Sequence, residues 1–75
     1  MSLKPVKARD LIKLLAEVGC VPVRQRGSHV FLRCAGGGVT VVPVHSGEEI
    51  GRGLLLRILR DVGLSREDYL KLLGK

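Results

Sequence analysis

Two glycine-containing turns divide the middle of the chain into three short segments of β type. Gly27-Ser28 is a two-residue connection of the Gly-X kind that a type II′ hairpin prefers. The second turn is the run Ala-Gly-Gly-Gly at residues 35–38. The segments VPVRQR, HVFLRC and VTVVPV around these turns are rich in valine, which favours strands. This arrangement predicts a three-stranded antiparallel meander.

The first of these segments has the two-residue period of a strand with one buried face. Val21 and Val23 alternate with Pro22, Arg24 and Arg26, and a proline is tolerated near the beginning of a strand. We therefore expect the two valines to face the core and the two arginines to face outward.

Apolar residues at helical spacing flank the strands on both sides. The first helix begins near Lys7 without a good capping residue and ends at Gly19, and the second runs from about Arg52 or Gly53 to Gly63. Their apolar positions, spaced i, i+3, i+4, i+7, are Leu11, Leu14, Leu15 and Val18 in the first helix and Leu55, Ile58, Leu59 and Val62 in the second.

A third, short helix has a clear N-terminal signal. Ser65 stands at the capping position, Asp68 follows at the third helical position, and Leu64 is placed to pack against Tyr69. The predicted fold is α+β with the order α-β-β-β-α, a three-stranded antiparallel sheet covered on one face by two helices, and a short C-terminal helix. We expect one domain over residues 1–75, with an ordered core from about residue 6 to residue 73.

The distribution of charge favours nucleic acid as a partner. Lysine and arginine number 13 against 7 acidic residues, which gives a net charge of +6, and no acidic residue stands between Glu17 and Glu48. A surface of one sign attracts polyanions, although a charge of this size also suits solubility alone. We expect no membrane association, because no apolar run approaches roughly 18 residues and no helix is strongly basic and amphipathic.

The two cysteines are too few for a disulfide framework and lack C-x-x-C spacing. We expect Cys20 and Cys34 to be buried thiols in a reducing cytoplasm, since the N-terminus has no apolar export signal. A bridge formed in an oxidised sample is conceivable, because both residues fall near the ends of adjacent strands. A zinc site with His29 and His45 is the alternative, but spacings of 9, 5 and 11 positions match no ligand pattern. We expect no metal and no cofactor.

Three motifs occur in an order that resembles the HicA (YcfA-like) family of small bacterial and archaeal toxins. They are RQRGSH, VPVH at residues 42–45, and GRGLLLRILRDVGLSREDYLKLL, and the likeness runs from about Val6 to Leu73. The resemblance implies a fold like the double-stranded RNA-binding domain, cleavage of messenger RNA, and silencing by a HicB-like antitoxin. It also implies that His29, in the GSH motif, is catalytic. The chain departs from the family at residues 35–38, where relatives often carry a polar or charged turn, which would reshape RNA contact there.

The residues around His29 suit such chemistry. Cleaving RNA without a metal requires a base for the ribose 2′-OH, an acid for the departing 5′-oxygen, and cations around the phosphorus. Histidine exchanges protons near neutral pH, and Arg24 and Arg26 on the paired strand can hold phosphate oxygens. Gly27 and Ser28 leave room for an RNA backbone, and the Ser28 hydroxyl can donate a hydrogen bond to phosphate.

Further RNA contacts are expected from Arg33, Arg52 and His45. Arg33 belongs to the acid-free window, and Arg52 lies beside the free N–H groups at the start of the second helix, which suit a phosphate. Two interpretations of His45 stay open: it contacts the substrate, even as the acid, or it caps the loop HSGEEIG. Arg57 and Arg60 are assigned to the outer face of the second helix or to an antitoxin contact.

Recognition of bases is expected to be weak. Phe31 and Tyr69 are the two aromatic residues, and both are expected in the core, so little remains for stacking on unpaired bases. The leading hypothesis is a metal-independent RNA endonuclease of the cytoplasm with His29 at its centre. The alternatives are a non-catalytic binding module of the double-stranded RNA type and a protein-interaction domain whose basic face meets an acidic partner.

Overall fold

A computed structural model of the protein describes residues 3–44 and 49–74. In chain order the elements are β1 (Val6–Lys7), α1 (Ala8–Glu17), β2 (Cys20–Arg26), β3 (His29–Cys34), β4 (Val39–Pro43), β5 (Glu49–Ile50), α2 (Arg52–Val62) and α3 (Arg66–Leu73). β2, β3 and β4 form an antiparallel sheet with β3 in the centre, and β1 pairs with β5 in a separate two-stranded sheet. The α+β class and the α-β-β-β-α order are confirmed, whereas the pair β1 and β5 was not predicted.

One face of the three-stranded sheet carries the hydrophobic core. Val30, Leu32 and Cys34, at alternate positions of β3, are buried and belong to the same cluster as the buried residues of α1 and α2. Because successive side chains of a strand point to opposite faces, the other β3 residues lie on the opposite, outer face. The helical residues that complete the core are Ala8, Leu11, Leu15, Leu55, Ile58, Leu59 and Tyr69.

The helix ends follow the sequence signals. Gly19, with φ of 89°, lies just beyond the C-cap of α1, and Gly63, with φ of 73°, ends α2. Both adopt the left-handed conformation that only glycine enters without strain. The Ser65 hydroxyl accepts a hydrogen bond from the Asp68 amide at 3.0 Å, so the predicted cap of α3 is confirmed. Val18, expected in the core, is 39% exposed because it lies at the C-cap of α1 rather than within the helix.

Gly27 and Ser28 form the two-residue turn between β2 and β3. Gly27 has φ of 57°, while Ser28 has no positive φ, as expected at the two central positions of a type II′ turn. The Gln25 side-chain amide donates a hydrogen bond to the Gly27 carbonyl at 3.0 Å and tightens this turn.

The expectation that Val21 and Val23 face the core is wrong. They are 49% and 57% exposed, because Cys20 occupies the core side at the start of β2 and its neighbour Val21 pairs with Arg33 on the outer face. The register between β2 and β3 then shifts between Pro22 and Arg24. This bulge at Val23 interrupts the two-residue period. Arg24 therefore shares the outer face with Val21, although three positions separate them and an unbroken strand would put them on opposite faces.

Cys20 and Cys34 form a disulfide, so the expectation of two buried free thiols is wrong for this structure. The two residues are paired directly across β2 and β3, and both side chains point into the core. Their predicted placement on adjacent strands is what brings the sulfurs together. The zinc alternative required these same two sulfurs as separate ligands, and here they are bonded to each other.

The glycine-rich turn between β3 and β4 packs against the end of α2. A Cβ atom on Gly38 would lie only 2.8 Å from the backbone oxygen of Asp61, a distance at which the backbone must move. Two backbone hydrogen bonds hold the turn. The Cys34 amide donates to the Gly38 carbonyl at 2.8 Å, and the Gly37 amide donates to the Cys34 carbonyl at 2.9 Å. Gly38 thus has a packing role at the junction of sheet and helix.

Candidate functional site

His29 is the first residue of β3, the central strand, and its side chain is exposed. Across the sheet it is paired with Arg26 of β2 on one side and Pro43 of β4 on the other. The sequence left the orientation of His29 open. The structure places it on the outer face with Phe31 and Arg33, since these alternate with the buried residues of β3.

A groove of about 860 Å³ runs between this outer face and α2, and we call it the sheet groove. Its titratable lining residues come from β2, β3 and α2, and its floor is largely apolar. Val23, Phe31, Val39, Val41, Pro43 and Leu54 contribute the apolar surface. The titratable residues are Arg24, His29, Arg33, Arg57 and Asp61.

Helix α2 supplies one wall of the sheet groove. Leu54, Arg57 and Asp61, spaced three and four positions apart, lie on one side of the helix and line the groove together. Arg57 is exposed, as expected for an outer position on α2, and in addition it lines the groove because this side of α2 lies beside β4. Arg60 is exposed and is absent from the groove lining.

Arginines outnumber carboxylates in the groove lining. Among the described residues that line it there are three arginines and one carboxylate, that of Asp61. This carboxylate accepts a hydrogen bond of 3.0 Å from the hydroxyl of Thr40, which is 4% exposed. A concave site with this charge attracts an anion such as phosphate.

The structure brings together only part of the predicted site. Arg24 and Arg33 line the sheet groove with His29. Arg26 is paired with His29 on the same face but lies outside the lining. Gly27 and Ser28 form the turn beside His29, and the Ser28 carbonyl accepts a hydrogen bond from the amide of Val44.

The two remaining predicted residues fall elsewhere. Arg52 is the first residue of α2 and is exposed, but it does not line the sheet groove. His45 lies outside the described residues, so neither interpretation of its role gains support. The turn at residues 35–38 joins β3 and β4 at the end away from His29, because His29 begins β3 and Cys34 ends it.

Phe31 is the site residue that the sequence analysis misplaced. It is half-buried on the outer face and lines the sheet groove instead of joining the core. The guanidinium carbon of Arg24, its cross-strand partner, lies 4.9 Å from the centre of its ring. The alternation of Phe31 with Val30 and Leu32 was the signal for this exposure. The other aromatic residue, Tyr69, is in the core as expected.

One comparison with known proteins agrees with the motifs. No helix in the described part of the chain has the length and apolar character needed to cross a membrane. A search of curated proteins found no match. A protein-family model described as HicA toxin of bacterial toxin-antitoxin matches residues 8–64, which is more than half of the chain and includes His29 and the whole three-stranded sheet. The chain therefore belongs to the HicA family of toxins from bacterial toxin–antitoxin systems.

Proposed function

We propose that this toxin is a metal-independent endoribonuclease that cleaves messenger RNA and uses His29 as its catalytic base. The observation that carries the proposal is an exposed histidine in a groove that is also lined by three arginines. A base beside several cations is what phosphodiester cleavage requires, since the attacking oxygen loses a proton while negative charge grows on the phosphate.

In the proposed reaction the His29 imidazole takes the proton of a ribose 2′-OH. The 2′-oxygen then attacks the adjacent phosphorus, and the bond between phosphorus and the 5′-oxygen breaks. The departing 5′-oxygen takes a proton from solvent, so the products are a 2′,3′-cyclic phosphate and a 5′-hydroxyl. The nucleophile belongs to the RNA itself, and a metal ion is not needed to generate it.

The arginines divide into two groups by position. Arg24, Arg33 and Arg57 line the groove and would hold the phosphate oxygens at the reacting centre and its neighbours. Arg26 and the Gly27-Ser28 turn lie beside His29 and would contact the adjoining RNA backbone. Arg52 and His45 remain candidates for more distant contacts.

Membership of this family implies an antitoxin partner. We propose that the partner is a HicB-like protein, that the toxin acts in the cytoplasm where messenger RNA is translated, and that residues 1–75 work as one domain. A basic groove of this kind also predicts that an acidic surface of the antitoxin contributes to silencing.

The test compares the wild-type protein with a His29→Ala variant on a defined messenger RNA in the presence of EDTA. We expect the wild type to give fragments ending in a 2′,3′-cyclic phosphate, and the variant to lose roughly 100- to 10,000-fold in rate with an unchanged circular dichroism spectrum. An RNA with a single 2′-deoxynucleotide at the cleaved position should resist the wild type.

Cleavage by the variant at the wild-type rate would refute the role of His29. RNA binding by the wild type without any cleavage product would favour a non-catalytic binding module instead. Failure to bind RNA at low salt would favour a domain that contacts only proteins.

A further inference from the structure

Phe31 occupies the middle of the outer face of the sheet. It lies on the central strand, two residues after His29 and on the same face, with Arg24 paired to it on β2 and Val41 on β4. Two residues of a strand span about 7 Å. A nucleotide attached to a phosphate at His29 can therefore reach the ring of Phe31 with its base.

Arg24 and Phe31 form a cation–π pair. The guanidinium of Arg24 lies 4.9 Å from the ring centre, within the range of a cation–π contact. Both groups are planar, and nucleic-acid bases stack on aromatic rings and on guanidinium planes. The apolar residues Val39, Val41 and Leu54 in the same groove favour a flat apolar ligand over a hydrated one.

We propose that the pair Phe31 and Arg24 is a base-stacking subsite, which holds an unpaired base next to the phosphate that is cut at His29. The inference rests on the proposed ribonuclease function and adds a substrate class to it. A base in a duplex is already stacked and paired, so the subsite selects single-stranded segments of the messenger RNA.

The combination of cations with an aromatic ring favours nucleic acid as the ligand of this subsite. Arg24, Arg33 and Arg57 line the same groove as the Phe31 ring, and the Asp61 carboxylate accepts a hydrogen bond from the Thr40 hydroxyl. Cationic grooves that contain aromatic rings are the usual solution for binding single strands, because the cations follow the backbone and the rings take the bases.

The first experiment measures affinity in the absence of cleavage, with His29→Ala as the background. The probe is a short single-stranded RNA that carries the fluorescent base 2-aminopurine, compared with the same RNA in a duplex. Adding Phe31→Leu, which keeps an apolar side chain, should weaken binding of the single strand by at least about fivefold and abolish the change in 2-aminopurine fluorescence. Phe31→Trp should retain both, and binding of the duplex should change little.

A matched pair of substitutions separates stacking from charge. Arg24→Lys keeps the positive charge but loses the planar guanidinium, and it should weaken binding of the single strand. Arg60→Lys is the control, because Arg60 is an exposed arginine that does not line the sheet groove. Equal effects of the two substitutions would overturn the stacking role of Arg24.

The outcomes distinguish this inference from the proposed function. If the wild type cleaves RNA while a folded Phe31→Leu variant binds and cleaves single strands as well as the wild type does, the subsite is refuted and the ribonuclease stands. The subsite is also refuted if Phe31→Leu weakens only antitoxin binding. If single strands bind through Phe31 but are never cut, the subsite is supported and the catalytic proposal fails. Thermal unfolding of each variant shows whether it is folded.

Discussion

The hydroxyl of Thr40 donates a hydrogen bond of 3.0 Å to the carboxylate of Asp61, which joins strand β4 to helix α2. Thr40 is 4% exposed, and both residues line the sheet groove. Since α2 forms one wall of this groove and the sheet forms the other, this bond helps to fix the distance between them.

Replacing Thr40 with valine should loosen this connection. Thr40→Val keeps the shape of the side chain and removes the donor, so we expect the free energy of unfolding to fall by about 1 to 2 kcal/mol, as for a hydrogen bond to a charged group. Thr40→Ser, which keeps the hydroxyl, is the control for the bond itself. Urea unfolding of the three proteins measures the difference, and equal midpoints for Thr40→Val and the wild type would contradict the prediction.

Gly38 should tolerate no side chain. In Gly38→Ala the new methyl group would lie 2.8 Å from the backbone oxygen of Asp61, so the turn or the end of α2 must shift at a cost of about 1 to 3 kcal/mol. Gly36→Ala in the same turn is the matched control, because its Cβ would meet nothing within 4 Å. Thermal unfolding should show a lower midpoint for Gly38→Ala alone. A midpoint for Gly36→Ala as low as that of Gly38→Ala would show that close packing is not the cause.

Arg57 should contribute to RNA binding more than its neighbour on α2. Arg57 lines the sheet groove and Arg60 does not, although both are exposed arginines of the same helix. If Arg57 contacts one phosphate, Arg57→Ala reduces the slope of log affinity against log salt by about 0.7 for a single strand. Arg60→Ala should leave the slope nearly unchanged. Salt titrations of RNA binding measure both slopes. Identical slopes for the two variants would contradict the placement of the RNA backbone in the sheet groove.

Tyr69 should make stability depend on pH in alkaline solution. Burial raises the pKa of the Tyr69 hydroxyl above its ordinary value of 10.0. The unfolded chain then loses this proton at a lower pH than the folded protein does, so the contribution of Tyr69 to stability is constant below about pH 10 and falls as pH rises further. In Tyr69→Phe, the part of the fall in the free energy of unfolding above about pH 10 that is due to Tyr69 should disappear.

The same variant also tests the hydroxyl at neutral pH. Within the described part of the chain, the buried hydroxyl of Tyr69 has no hydrogen-bond partner. Removing it should therefore leave the free energy of unfolding unchanged or slightly raised, because a desolvated group without a partner costs stability. Urea unfolding of both proteins at pH 7 and above pH 10 measures both effects. A clear loss of stability at pH 7 would reveal a partner for the hydroxyl.

Local sequence signals determined most of the architecture. The Gly27-Ser28 turn, the Ser65 cap and the glycine ends of α1 and α2 each act within a few residues, and the structure has all of them where they were predicted. The alternation along β3 put His29 and Phe31 on one face but did not specify which face, and Phe31 was expected in the core. Such features depend on backbone conformation and on hydrogen bonds between near neighbours, so they can be inferred without knowing the fold.

Other features depend on contacts between distant segments, which only the tertiary structure shows. The bulge at Val23 depends on how β2 pairs with β3, and it brings Arg24 onto the outer face that Val21 already occupies. The position of Arg57 depends on how α2 lies beside β4, which the helical spacing of α2 alone does not specify. The sequence by itself therefore determined the three helices, the three strands of the main sheet, the family motifs and the candidate histidine. Only tertiary packing decided which side chains share the groove with His29, because strand register and helix placement are set by the core as a whole.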